Sequence, residues 1–230
     1  MKKLIFITLI TLHFLGFSET ILLKNRGYEI YWDTKKARPL YSRHTISRFK
    51  PTYFARSDFE NDQRVEGEYT AKEFYGTGYD RGHLVPFADL LYDEATARET
   101  FLMTNIVPQK AELNRDKWLD LEKYLRHRCK KNQTFTIYTG PIYEEGKIPI
   151  AFFKIAINNK SKETDAYVLP NLACNGSLES YKTTVKAIEE KVKHKIINGT
   201  YTMRRQNKSH HWIVIANILF FAWLLYHKKK

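Results

Sequence analysis

The sequence predicts an α+β fold, on three observations. Runs of strand-forming composition recur at residues 28–32, 135–138, 151–157 and 166–169. Helical composition or spacing marks residues 93–103, 114–130 and 178–192. The two kinds of segment are mixed without the regular alternation that builds a doubly wound parallel sheet. The chain of 230 residues is long enough for one sizeable core, and it holds no internal repeat or low-complexity block.

Each element has its own warrant. Residues 28–32, Tyr-Glu-Ile-Tyr-Trp, are β-rich. The next stretch, 35–64, interleaves cations with rings: Arg38, Tyr41, Arg43, Arg48, Phe49, Lys50, Tyr53 and Arg56. Such interleaving suits a nucleic-acid surface, and it suits a solvated loop and edge strand equally. Residues 93–103 carry Ala, Glu and Arg in helical quantity. Asn114 or Asp116 is placed to cap the following helix, which runs through Leu119, Leu121, Tyr124 and Leu125 to about residue 130. In 178–192, Tyr181, Val185, Ile188 and Val192 share one helical face.

The formal charge of +13 favours anionic partners: nucleic acid, a phosphoinositide surface or a polyanionic sugar. Residues 1–18 place two lysines before an apolar run that closes on Gly16 and Ser18, the layout of a signal peptide or an uncleaved N-terminal anchor. Residues 212–227 are apolar apart from Asn217 and His227, flanked by Trp212, Tyr226 and three terminal lysines. They read as a shortened C-terminal transmembrane helix, roughly 22 Å long, or as a buried core helix. In the membrane reading the lysines face the cytosol and a domain at 19–205 faces the lumen or exterior. Sequons begin at Asn132, Asn159, Asn175, Asn198 and Asn207, as a lumenal glycoprotein would have. A secretory or cell-surface address follows, ahead of the mitochondrial intermembrane space or a bacterial periplasm. Cys129 and Cys174 can pair in an oxidising compartment or stay as buried thiols. Two cysteines, with no histidine at ligand spacing, exclude a structural zinc site.

The chemistry concentrates in Gly78–Pro86, "GYDRGHLVP". An arginine two residues before a histidine makes the imidazole harder to protonate. A neutral imidazole accepts a proton or binds a metal, and Arg81 stays available for an anion. Gly82 between them permits unusual backbone angles or close approach. Asp80 is placed to orient one of the two. Downstream, residues 101–125 hold Asn105, Asn114 and Glu122. On a regular helix Asn114 and Glu122 lie about 80° apart, so both can look into one cleft.

"DRGHLVPFA" followed by "TNIVPQKAELNRDKWLDLE" resembles the DNA/RNA non-specific endonuclease family, whose mark is the DRGH motif. "TGPIY" at 139–143, "YVLPN" at 167–171 and a final helix with Val185, Ile188 and Glu189 add to the likeness, which covers roughly residues 27–200. The resemblance implies a ββα-metal core with a central antiparallel sheet flanked by helices. It implies a sugar-non-specific endonuclease acting on DNA and RNA with Mg²⁺, or Mn²⁺ as substitute. His83 is then the general base, Asn114 the direct metal ligand, and Glu122 the holder of metal waters. Arg81 contacts the phosphate, Asn105 supports the site, and Arg56 best matches a further upstream arginine. Family members can be homodimers, though no residue pattern here is specific to one. Two other readings use the same residues: a nucleic-acid receptor that has lost catalysis, and a phosphodiesterase for a non-polymeric substrate.

Overall fold

The computed structural model describes residues 20–129 and 133–204. Its strands, in chain order, are β1 Thr20–Lys24, β2 Tyr28–Asp33, β3 Arg38–Ser47, β4 Tyr79–His83, β5 Ile106–Lys110, β6 Thr134–Ile142, β7 Ala151–Asn158, β8 Glu163–Pro170, β9 Lys182–Thr183 and β10 Thr202–Met203. The α-helices are α1 Glu94–Glu99, α2 Trp118–Arg128 and α3 Val185–Val192. One large sheet has the order β1-β2-β3-β6-β7-β8-β10, with β9 beside β8, while β4 and β5 form a separate antiparallel ribbon. Within the large sheet the pairings are antiparallel except that of β10 with β8. Helices cover it, which gives the α+β class and the antiparallel central sheet that the sequence predicts.

The sheet is buried on both faces. On one face Trp118, Leu121 and Leu125 of α2 belong to the same apolar cluster as Trp32, Phe152 and Tyr167. On the other, Val185 and Ile188 of α3 cluster with Tyr41, Phe153, Ile155 and Val168. Side chains alternate along a strand, so Phe152 and Phe153 serve opposite faces, and all of β7 is buried. A strand with two covered faces reads as a continuous apolar run, which is why "AFFKIAI" is legible as one.

Between β3 and β6 the chain leaves the sheet and builds the ribbon, α1 and α2. The order ribbon-then-helix makes a ββα unit of β4, β5 and α2, and His83 pairs with Ile106 at the end of that ribbon. A π-helical turn, Leu113–Lys117, leads directly into α2. Neither Asn114 nor Asp116 therefore caps α2: both lie inside the continuous helical run.

Other expectations need correcting. The stretch 35–64 is not an edge: β3 lies between β2 and β6. Arg38 is buried, with Nη1 donating to the Gly146 carbonyl at 2.7 Å. Arg43 pairs with Glu29 across the strands at 3.0 Å. Both cations have structural partners, and the segment after β3 carries Arg56 to the cleft. The helix expected at 93–103 is limited to α1, capped by Asp93, whose Oδ2 accepts from the Thr96 amide at 2.8 Å. The one expected at 178–192 begins only after Thr184, whose hydroxyl accepts from the Ala187 amide at 3.1 Å. Tyr181 precedes it, donating its hydroxyl to the Asn175 carbonyl at 2.6 Å.

Cys129 and Cys174 are free, buried thiols. Asn175 and Asn198 are exposed, whereas the Asn159 amide donates inward to Thr134 at 2.8 Å. The segments 1–18 and 212–227 and the sequons at Asn132 and Asn207 lie outside the described residues. Among those described, no helix is long and apolar enough to cross a membrane.

One packing constraint gives a direct test. At Gly140, in β6, a Cβ would sit 2.5 Å from the Phe153 ring and 2.6 Å from the Leu40 carbonyl oxygen. A backbone oxygen in a central sheet cannot swing aside. Gly140→Ala is expected to cost about 1–3 kcal/mol of folding stability, read as a lowered urea midpoint. An unchanged midpoint would mean that β3 and β6 separate freely.

Candidate active site

A cleft of about 1030 Å³ opens beside the ββα unit, and His83, Arg81, Asn114, Glu122 and Arg56 all line it. Segments distant in sequence bring them there: the β4 ribbon, the loop after β3 and the helical run from Leu113.

His83 closes β4. Its ring packs against two phenyl rings that also touch each other, 5.6 Å from Phe59 and 5.2 Å edge-on to Phe101. Nε2 is shielded from solvent and has no hydrogen-bond partner. Burial in this apolar slot, and then the neighbouring Arg56 charge, push its pKa down from 6.5 to about 3. The imidazole is neutral across physiological pH, with an unengaged nitrogen. Gly82 is required for close approach: a Cβ there would sit 2.5 Å from Gln109 Oε1, across the ribbon.

Arg81 stacks over Phe59, its guanidinium carbon 4.5 Å from the ring centroid. Arg56 sits 5.7 Å from the Phe101 ring and 5.9 Å from Phe87. Neither has an ion-pair partner among the described residues. Two cations without counter-ions in a concave site make a receptor for anions.

Asp80 orients neither Arg81 nor His83. Its Oδ2 accepts from Asn114 Nδ2 at 2.8 Å, and the same carboxylate takes Arg115 at 2.6 and 2.8 Å. Arg115 above all, with Asn114 adding to it, holds the Asp80 carboxyl below its ordinary range. With Nδ2 fixed on Asp80, the Asn114 amide plane is set and Oδ1 is its remaining polar atom. Asn114 itself lies in the π turn, a local widening that recurs at functional sites. That turn changes the simple angular estimate, yet Asn114 and Glu122 still share the cleft.

Glu122 is largely buried, and burial pushes its carboxyl up to about 7 against the opposing pull of Lys154. Lys154 Nζ lies 4.0 Å from Glu122 Oε1, donates to Thr139 Oγ1 at 3.0 Å, and sits 4.7 Å from the centre of the Trp118 ring. Asn105 does not reach the cleft. It is fully buried, accepts from the Val85 amide at 3.0 Å, and donates to the Val85 and Thr100 carbonyls at 3.0 and 2.9 Å. It pins the backbone immediately after His83.

Sequence reasoning missed four further residues. Arg126 lines the cleft one turn beyond Glu122, and the i,i+4 spacing was the available signal. It donates to Asp89 at 2.6 Å, and Asp89 also meets the buried His44 at 2.9 Å. Lys154 was legible as the one cation inside an apolar strand, which demands a buried partner. Nothing local announced Asp89 or His44.

Among the described residues, no three His, Cys, Asp or Glu side chains group as a metal cage. One amide oxygen and one carboxylate are the available donors. Such a set fits a hard cation that keeps most of its waters, as Mg²⁺ does, and misfits zinc.

Residues 8–203 match the DNA/RNA non-specific endonuclease family. The chain is 31% identical to Nuclease 1, mitochondrial, of Schizosaccharomyces pombe, covering 72% of this chain and 62% of that protein. It is 29% identical to human endonuclease G, mitochondrial, covering 57% of this chain and 53% of that protein. The chain thus spans between half and two thirds of the length of these curated relatives. A chain in the crystal structure of the EndoG/EndoGI complex superposes with a TM-score of 0.70, covering 82% of this chain and 92% of its own at 19% identity, a likeness of fold.

Proposed function

The chain belongs to the DNA/RNA non-specific endonuclease family, and from that premise we propose that it hydrolyses phosphodiester bonds within DNA and RNA, using Mg²⁺ with Mn²⁺ as a substitute. One observation carries the reading: a neutral histidine with an unengaged nitrogen, two cations without counter-ions, and an oriented amide beside a buried carboxylate share one cleft.

Arg81 and Arg56 bind the non-bridging oxygens of the scissile phosphate and offset its charge, Arg81 through parallel hydrogen bonds. The neutral His83 imidazole, on the cleft wall, accepts the proton of the attacking water, so hydroxide need not form free in solution. Asn114 Oδ1 would hold the cation directly and Glu122 would hold it through waters; such a cation, when bound, would supply stabilisation of charge on the leaving oxygen. Asp80 keeps the amide turned, and Asn105 keeps the backbone after His83 in place. Contacts to phosphate carry no base information, which fits cleavage with little sequence preference.

The test is cleavage of plasmid DNA and of RNA by purified protein with Mg²⁺, repeated with chelator. No cleavage of either polymer would overturn the reading. Binding without turnover would favour the receptor, and turnover of small diesters alone would favour the other phosphodiesterase.

Affinity is expected to fall steeply with salt and to vary little with sequence. Each phosphate contact contributes about 0.9 to the slope of log K against log salt on duplex DNA. Arg56 and Arg81 alone then give roughly 1.8. Titrating a His83→Ala form against two unrelated duplexes at several salt concentrations reads both. A flat slope, or one strongly preferred duplex, would count against backbone binding.

The relatives' names favour a mitochondrial address over the secretory one expected from the sequence. An N-glycan on exposed Asn175 or Asn198 would place the domain in the secretory lumen. Absence of glycan with co-fractionation in mitochondria would place it in that organelle.

A further inference from the structure

We propose that Tyr75 is a base-stacking subsite at the rim of the cleft, taking an unpaired nucleotide of a single strand. Such a subsite depends on the nuclease reading above and adds the strand state of the substrate.

Tyr75 is 71% exposed, whereas its neighbour Phe74 is buried. Of the large apolar side chains exposed among the described residues, Leu22, Tyr53, Tyr92, Ile148 and Leu172 all lie off the cleft, and Tyr75 alone lines it. Its position is built. The chain turns through the 3₁₀ segment Ala71–Phe74, and the Tyr75 amide donates to the Lys72 carbonyl at 3.1 Å. Gly76 and Gly78 follow with φ of 71° and 75°, each with open space where a Cβ would stand. These glycines serve backbone conformation, carrying the chain from an outward Tyr75 into β4.

The ring also sits near the phosphate-binding cation. The Arg81 guanidinium carbon is 5.8 Å from the Tyr75 centroid and 4.5 Å from that of Phe59. Arg81 and Tyr75 are thus neighbours on one wall of the cleft. A strand whose phosphate rests on Arg81 can therefore lay the adjoining base on Tyr75. Every base has a π-face, so stacking adds affinity without sequence preference. A base inside a duplex has both faces covered by its neighbours. An unpaired base gains from this ring, and a paired one must first be unstacked.

The experiment measures anisotropy of a labelled single strand and of a blunt duplex of equal length, bound to the His83→Ala form with and without Tyr75→Ala. The ratio of single- to double-strand affinity is expected to fall about tenfold on losing the ring. Tyr75→Phe should restore it, and Tyr75→Leu, apolar but not aromatic, should not. An oligonucleotide with abasic sites should lose affinity for the Tyr75 form and show no further loss on Tyr75→Ala. An unchanged ratio, or equal loss on both substrates, overturns the subsite. Binding is read in an inactive background, so this outcome is separate from the nuclease reading, which fails only if the wild type cuts neither polymer.

Discussion

His83→Ala is expected to reduce plasmid cleavage by about 10²- to 10⁴-fold and to leave nucleic-acid binding in place. The ring has one unengaged nitrogen and no cationic role in the cleft: Arg56 and Arg81 supply the positive charge and remain after the substitution. Proton transfer is lost and the phosphate receptor stays. Gel relaxation of supercoiled plasmid reads the first, and anisotropy at fixed salt reads the second. Turnover near the wild-type rate would remove His83 from proton transfer.

The pH dependence follows in sign. Burial first, then Arg56, lower the pKa of His83 from 6.5 to about 3. The folded ring therefore stays neutral well below 6.5, and a kcat/KM profile set by His83 has no acid limb there. Stability behaves differently. As pH falls below 6.5 the unfolded chain takes up a proton that the folded ring refuses. The contribution of neutral His83 is thus present above 6.5 and is lost progressively as pH falls toward about 3. Urea midpoints of wild type and His83→Ala, compared at about pH 7.5 and about pH 5, should show the larger acid loss in the wild type. Parallel losses would contradict a buried, neutral ring.

How much could be read from the chain depended on whether a residue's partner is local. β7 was legible because both of its faces are covered, so its composition is apolar throughout. The DRGH segment was legible because its unusual residue types are adjacent. β3 was not, because Arg38, Arg43 and His44 look like surface residues until their partners are known. The carboxylate that meets His44 is 45 residues away, on Asp89. Asp80 was expected to serve its neighbours in the motif and instead serves Asn114, 34 positions on. The helix expected from 178 starts only at Val185, because strand β9 and the Thr184 cap hold the preceding residues out of it, whereas the one expected from 93 starts on its Asp93 cap as foreseen and stops early, at Glu99. Periodicity foretold the shared cleft of Asn114 and Glu122 despite the intervening π turn, because the helical run continues unbroken through it.

Asn114→Ala is expected to abolish cleavage at ordinary Mg²⁺ concentrations and to raise the concentration needed for any residual activity. The donor set is sparse: beside the Asp80 carboxylate, already engaged by Asn114 and Arg115, the cleft offers one amide oxygen and the Glu122 carboxylate, and no cage of three such side chains forms among the described residues. Asp80→Ala separates ligation from orientation. It keeps the Asn114 oxygen but removes the acceptor, 2.8 Å from Nδ2, that fixes the amide plane. It also releases Arg115 from its ion pair. Loss of such a supporting contact typically lowers metal affinity or activity by about 10- to 100-fold, so Asp80→Ala should fall between wild type and Asn114→Ala. Calorimetric titration of Mg²⁺ and Mn²⁺ into each variant, in a His83→Ala background, measures binding without turnover. Because Asp80 is also a charge partner, Asp80→Asn serves as the second arm: it retains an oxygen to accept from Nδ2 and should recover part of the affinity. If Asn114→Ala binds either cation as the wild type does, Asn114 is not a ligand. If Asp80→Ala matches wild type while Asn114→Ala does not, the amide is held by something other than Asp80.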